Sequence, residues 1–355
     1  MAILRANGLG DYVFTLPALQ AIRDAYPQAE IVLLGLEWHN DFISTRPGPV
    51  DRVLVVPGNL GLRRSPSSQD EFKKLENFFS KIQNENFDLA IQMFGGGLYS
   101  NPYIKRLGAR FTVGLKAPDA EELDRWVPYI YFQPEILRFL EVARLVGAAT
   151  ENLEPHVEII KADLQESFEI IPENDQPLIA LHLGGGDMRR RWSPVNFAHV
   201  ANVLSTAGNQ VVVIGTELEK EAINEMHFHL ARPVINLVNR LSLGGLAGLL
   251  SRCSLVISND SGPVHLAGAV GTATIPIYWC GNLVNAGPVT RTLHRPMVSW
   301  RLDCPVCGSD IIYHPCDHQV SLVNNVSVDE VLVTAYELLA LEQVRDKNNV
   351  SQRTL

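Results

Sequence analysis

Within seven residues, Asn259-Asp260-Ser261-Gly262-Pro263-Val264-His265 brings together a carboxylate, a hydroxyl, a bare backbone position and an imidazole. The apolar run Leu255-Val256-Ile257 precedes it and the small-residue stretch Leu266-Ala267-Gly268-Ala269 follows, so the order is strand, polar turn, helix. Asp260 or Ser261 is expected to cap that helix. Gly262 lets a ligand approach the backbone, and Pro263 fits the first turn because the amide hydrogen it lacks has no helical partner there. The mouth of such a helix joins free amide hydrogens to the positive end of the dipole, an arrangement that attracts phosphate. His265 lies within one turn of it. A phosphorylated or nucleotide-linked ligand follows from this pattern.

Three further sites complement it. Gly184-Gly185-Gly186 allows close approach to the backbone and leads into Arg189-Arg190-Arg191, just before Trp192-Ser193-Pro194. Guanidinium groups at Arg190 and Arg191 can grip a pyrophosphate and offset the charge that grows as it leaves. Asp187 would repel such a ligand and is expected to point away. Glu219 follows the strand Gln210 to Ile214, where an acid commonly meets a nucleotide ribose or base; an acid stabilising a helix start is the other reading. Near the N-terminus, Gly8-Leu9-Gly10-Asp11 places a carboxylate at the start of the first helix, suited to act as general base toward a hydroxyl or simply to cap the helix. Neither glycine turn has the spaced dinucleotide fingerprint, which argues against a nicotinamide enzyme.

The elements that must carry these residues repeat. Ala2 to Arg5 reads as a strand, Tyr12 to Ala25 as one amphipathic segment and Glu30 to Leu34 as the next strand. The second half opens in the same way, with Pro177 to Leu183, a helix from Pro194 to about Ala207, and Gln210 to Ile214. Strands are also expected at Arg52 to Val56, Phe87 to Gln92, Val234 to Leu237 and Ser254 to Ser258, with helices at Leu243 to Ser251 and Val328 to about Val344. Two doubly wound α/β Rossmann-like domains facing each other are expected, residues 1–165 and 166–355, with the boundary in the polar stretch Thr150 to Gln176.

Composition narrows the partners. At 355 residues and 46% hydrophobic, the chain can bury two cores, and its formal charge of −9 with no long basic run argues against nucleic acid. The charge-free stretch Leu266 to Thr290 is broken by glycines and prolines and reads as buried strand and loop, not a membrane span. The start of the chain enters a strand without a leader pattern, so cytoplasmic residence is expected. Five cysteines, an odd number, argue against a secreted disulfide framework; three of them, Cys304, Cys307 and Cys316, cluster with His314 and His318. That group has the composition of a zinc site, with reduced thiols packed under a loop as the alternative, and no metal or cofactor is assigned from it.

Taken in order, these residues resemble the lipopolysaccharide heptosyltransferases of glycosyltransferase family nine. The likeness runs through Leu9-Gly10-Asp11, Thr15-Leu16-Pro17-Ala18-Leu19, Leu107-Gly108-Ala109-Arg110 with Val113-Gly114, and the helix Arg138 to Gly147. It continues through Arg190-Arg191-Trp192-Ser193-Pro194 and Leu241-Ser242-Leu243 to Asn259 through Ala267. It implies a GT-B architecture with an N-terminal acceptor domain, a C-terminal donor domain and a final helix that crosses back onto the first. It further implies inverting, metal-independent transfer of a sugar, typically from ADP-heptose, to a lipopolysaccharide core or related glycolipid, with peripheral contact at the inner face of the inner membrane. Asp11 matches the family's proposed base and Arg190 acts on the leaving group. Arg190, Glu219, Leu241, Asp260, Ser261, Gly262 and His265 match residues that line its nucleotide site, with the backbone around Gly185 and Gly186 near the phosphates. Position 190 is arginine where lysine is usual, which keeps the charge and changes its geometry. A nucleotide-sugar epimerase or hydrolase, and a silent nucleotide-sugar-binding protein, are the competing readings.

Overall fold

Short runs of Val, Ile and Leu bounded by glycine and proline become inner strands buried on both faces, the condition under which parallel sheets form. In the computed structural model, which describes residues 1–58 and 60–353, the chain divides into two units, Met1–Glu158 and Ile159–Leu355. The first holds β1 (Ala2–Leu4), β2 (Val32–Gly35), β3 (Arg52–Val55), β4 (Leu89–Gln92), β5 (Phe111–Lys116) and β6 (Arg125–Pro128), in the order β3-β2-β1-β4-β5-β6. The second holds β7 (Leu178–His182), β8 (Gln210–Ile214), β9 (Ile235–Asn236), β10 (Leu255–Asn259), β11 (Thr274–Trp279) and β12 (Met297–Ser299), in the order β12-β11-β10-β7-β8-β9. Every pairing is parallel.

Counted from its own first strand, each sheet has the doubly wound order 3-2-1-4-5-6. Chain direction across the sheet reverses between β1 and β4 in one unit and between β7 and β10 in the other. A crevice opens at the carboxyl ends of such strand pairs, where ligands bind. The second core packs Trp192, Phe197, Ile257 and Ile275 with Val331, Ala335 and Leu338 of the final helix Val328–Arg353. Those residues of the helix pack within the core of their own unit.

Several expected elements shift for identifiable reasons. The segment Tyr12 to Ala25 is two helices, Leu9–Val13 and Leu16–Ala25, because Pro17 has no amide hydrogen to continue the ladder and the Thr15 hydroxyl donates to the Tyr12 carbonyl at 2.6 Å. Strands β5, β6, β11 and β12 carry no alternation that marks them; β5 even contains Gly114, where a Cβ would lie 2.6 Å from that of Gln92. The expected boundary near residue 165 falls inside the helix Lys161–Ile170, which belongs wholly to the second unit.

That helix packs against Leu243–Arg252 at a distance only glycine permits. A Cβ on Gly248 would lie 2.2 Å from the Asp163 carbonyl oxygen, and one on Gly245 would meet the Glu166 carboxylate. Ser242 fixes the approach: its amide and hydroxyl donate to Glu166 at 2.6 and 2.5 Å while its oxygen caps Gly245 at 2.9 Å. Gly248→Ala should therefore destabilise the second unit by about 3 kcal/mol, the upper end for overpacking. A urea titration reads this as a lower midpoint; an unchanged midpoint would mean the two helices part at no cost.

Candidate functional site

The loops after β7 and β10 meet at the carboxyl edge of the second sheet, and Asn259 joins them. Its buried side chain accepts the Trp192 amide hydrogen at 2.9 Å and donates to the Leu183 carbonyl at 2.7 Å. Trp192 is itself buried and donates from its indole to Val326 at 3.1 Å. Between these two anchors, the chain from Gly184 to Arg191 loops out over the edge.

Asp260 follows with its side chain almost fully buried. Its Oδ2 accepts from Arg190 at 3.1 Å and from Asn282 at 2.7 Å, and its Oδ1 lies 3.2 Å from His265 Nε2. Ser261 occupies the N-cap position of the helix Gly262–Ala269, yet its hydroxyl lies 3.0 Å from His182 Nδ1 and makes no capping bond. Neither Asp260 nor Ser261 thus caps the helix with its side chain, contrary to expectation. Among the described residues the Ser261 side chain leaves the helix start at Gly262 uncapped, an arrangement that suits an anion.

The three arginines divide. Arg189 clasps Asp187, with bonds of 2.6 to 3.2 Å, which is how that acid is neutralised. Arg191 turns inward and donates twice to the Gly185 carbonyl, at 3.0 and 2.8 Å, which braces the glycine loop. Arg190 alone lies over the loop, its Nη2 3.6 Å from where a Cβ on Gly186 would stand. Gly184 admits no side chain: a Cβ there would come within 2.6 Å of Glu219 Oε1 and 2.7 Å of the His182 ring. Glu219 is held for this approach by the Thr216 amide and hydroxyl, which donate to its Oε2 at 2.7 and 2.8 Å.

Gly185, Gly186, Arg190, Glu219, Asp260, Ser261, Gly262 and His265 are in this way brought to one edge. Leu241 lies half-buried in the loop after β9, at the same edge of the sheet. Asn282, His182 and Asn259 were not foreseen. A buried Asn or His at the end of an apolar run is the signal that could have found the last two.

In the first unit, Asp11 stands in the first turn of the helix Leu9–Val13. It is not the N-cap, which is Gly8; its Oδ2 accepts the Gly8 amide hydrogen at 3.3 Å from a position three residues on. Its Oδ1 accepts from Arg5 at 3.1 Å. Arg5 is the unforeseen residue here: fully buried at the end of β1, it also donates to the Asp11 carbonyl at 2.9 Å, the Met93 carbonyl at 2.8 Å and Glu135 at 3.4 Å. Its guanidinium rests over Phe139, 4.5 Å from the ring centre. Burial lowers the pKa of Arg5, and the carboxylates of Asp11 and Glu135 oppose the shift. Glu135 is shared with buried Arg138. Asp11 thus keeps a half-exposed carboxylate oriented by a cation behind it.

Residues 76–298 match the model of glycosyltransferase family 9 (heptosyltransferase). The chain belongs to this family. The lipopolysaccharide core heptosyltransferase OpsX of Haemophilus influenzae is 22% identical over 299 residues, covering 81% of each chain. Among solved structures, the family 9 glycosyltransferase of Veillonella parvula superposes with a TM-score of 0.79 at 22% identity, over 96% of both chains. The ADP-heptose lps heptosyltransferase II of E. coli gives 0.74 at 19% identity, over 96% of this chain and 99% of that one. The two doubly wound sheets are those of the GT-B fold, and the family 9 chain described here is a glycosyltransferase.

His182 gives this edge of the second sheet a dependence on pH. Burial holds its pKa down to about 4, partly opposed by Glu219. The unfolded chain takes up this proton below about 6.5 and the folded chain only below about 4, so stability falls as pH drops through that window, by about 3 kcal/mol in all. His182→Asn should flatten that part of the profile. Urea unfolding of both proteins between these limits tests it, and parallel profiles would reject the role of His182.

Proposed function

We propose that this family 9 enzyme transfers a heptose from ADP-heptose to a lipopolysaccharide-core or related glycan acceptor, by a single inverting displacement. The observation that carries the donor half is the grouping of Gly185, Gly186, Arg190 and the uncapped helix start at Gly262 on one sheet edge. Those groups offer backbone amides and a guanidinium, the donors a diphosphate takes. The names of the relatives supply the sugar and acceptor class. Glu219 and Leu241 are assigned to the adenosine end of the donor, Ser261 and His265 to the phosphates.

In this mechanism Asp11 is the base. Its carboxylate removes the proton of the acceptor hydroxyl as that oxygen attacks the anomeric carbon from the face opposite the leaving ADP, so the configuration inverts. Arg5, which touches no substrate, keeps Asp11 ionised and aimed. Arg190 leaves part of its pairing with Asp260 to meet the charge that develops on the leaving diphosphate. With a guanidinium and a helix start in that place, the transfer requires no divalent cation at the leaving group. No helix among the described residues is long and apolar enough to cross a membrane. Catalysis at the inner face of the inner membrane, by peripheral contact with a lipid-borne acceptor, fits that reading.

Asp11→Asn should lower kcat by about 10²- to 10⁴-fold, the usual worth of a general base, while ADP binds as before. Steady-state transfer assays paired with calorimetric ADP titration test this, and near-normal turnover would remove Asp11 from the mechanism. Arg190→Ala should reduce both ADP affinity and turnover, and Arg190→Lys should recover part of each. Withholding magnesium should leave the rate unchanged; a strict requirement for it would refute the proposed means of leaving-group stabilisation.

A further inference from the structure

Between β12 and the final helix, the 28 residues 300–327 cross the second unit with almost no regular structure. Their own core is Cys304, Ile311 and Leu322, packed with Trp279 and Cys316. So small an apolar cluster does not offset the entropy of ordering such a segment, and segments of this size usually need a cross-link or a metal. One is available. Among the described residues, a single group of His, Cys, Asp and Glu could hold a metal ion: Cys304, Cys307, Cys316 and His318, whose ligand atoms all lie within 4.8 Å of one another. Around a tetrahedral zinc with Zn–S bonds of about 2.3 Å, ligand atoms stand about 3.8 Å apart. Cys304 Sγ and His318 Nδ1 are already 3.7 Å apart.

The backbone is shaped for the task. In Cys304-Pro305-Val306-Cys307-Gly308 the Gly308 amide hydrogen donates to the Cys304 carbonyl at 2.9 Å, and Gly308 takes a φ of +73°, which other residues adopt only with strain. The Cys304 amide donates to the Ser309 carbonyl at 2.8 Å, closing a narrow loop. Within it the Val306 amide points at Cys304 Sγ from 3.5 Å, a contact that favours a thiolate. His314, which composition alone offered as an equal choice, lies outside the group. The remaining thiols are elsewhere: Cys253 is buried and donates to Leu249, and Cys280 begins a different helix.

We propose that Cys304, Cys307, Cys316 and His318 bind one zinc ion, a structural site that holds the arginine loop in place. Three thiols release their protons to solvent on binding, and the imidazole coordinates through its neutral nitrogen. All four tetrahedral positions are filled by protein, so the site is closed to substrate. Its reach to the arginines is direct. Just beyond His318, the Leu322 amide donates to the Arg189 carbonyl at 2.6 Å and the Ser321 hydroxyl to the Arg191 carbonyl at 2.6 Å. Arg190 lies between those two carbonyls. Zinc binding stands apart from the transfer reaction, whereas the effect on the arginine loop rests on the donor reading above.

Elemental analysis of the full chain, purified under reducing conditions without added metal, should find about one zinc per chain. Cys304→Ser and Cys316→Ser should lose it and His314→Ala should keep it. Because cysteine variants can fail to fold, cobalt substitution of the wild-type protein supplies a second reading: thiolate-to-cobalt charge-transfer absorption and intense tetrahedral d–d bands are expected. Absence of metal with all five thiols reactive after denaturation, zinc retained by Cys304→Ser, or one equivalent of iron with its thiolate charge-transfer colour would each overturn the assignment. Removing zinc from the folded wild type should weaken ADP binding at least several-fold with little change in far-UV circular dichroism. Unchanged ADP affinity would overturn the coupling to the arginine loop. Failure of ADP to bind either form would count against the donor reading and leave the metal stoichiometry standing.

Discussion

A carboxylate buried at the end of β10 has to be satisfied, and the second unit is arranged around that need. Asp260 receives a guanidinium, an amide and an imidazole from three separate segments: the loop after β7, the helix after β11 and the helix that Asp260 itself precedes. Leaving a charge unpaired at such depth would cost several kcal/mol. The loops that carry Arg190, His265 and Asn282 are therefore drawn to one place, and the polar edge acquires its geometry from an acid that need not touch the reacting atoms. Asn259, one residue earlier, does the same for the backbone by tying Leu183 to Trp192.

The first unit solves a similar problem with the charges exchanged. There the buried group is a cation, Arg5, at the end of the first strand, and the acids Asp11 and Glu135 converge on it from different helices. In both units a buried ion sits beside the point where the strand order reverses. It fixes the start of a short helix and leaves one polar partner accessible: a carboxylate in one case, a guanidinium in the other. The two sheets share an order of strands and differ in the sign of the charge presented at their edges.

Legibility in the sequence followed distance along the chain. Asp260, Ser261, Gly262 and His265 lie in one strand-turn-helix unit, whose local pattern announces the strand, the turn and the helix start. Gly184 to Gly186 and Glu219 were recognisable for the same reason. Arg5 was not, because its partner Glu135 is 130 residues away and a lone arginine at a strand end is unremarkable. The roles within Arg189-Arg190-Arg191 could not be separated either: three identical residues differ only in whether Asp187, Asp260 or the Gly185 carbonyl lies in reach. The helix Lys161–Ile170 escaped notice because its buried face rests on the glycines of Leu243–Arg252, so close contact stands in for a strong apolar stripe.

The contiguity of the two units also sets an order of events on the ribosome. All six strands of the first sheet lie within Met1–Glu158, so that unit can fold while the rest of the chain is still being made. The second sheet depends instead on a helix that follows its strands. Val331, Ala335 and Leu338, which complete its core, belong to a helix that is made after all six of its strands. Until that helix emerges, Ile257 and Ile275 lack their cover, and the nascent second half presents an open hydrophobic layer to the ribosome's surroundings and to chaperones.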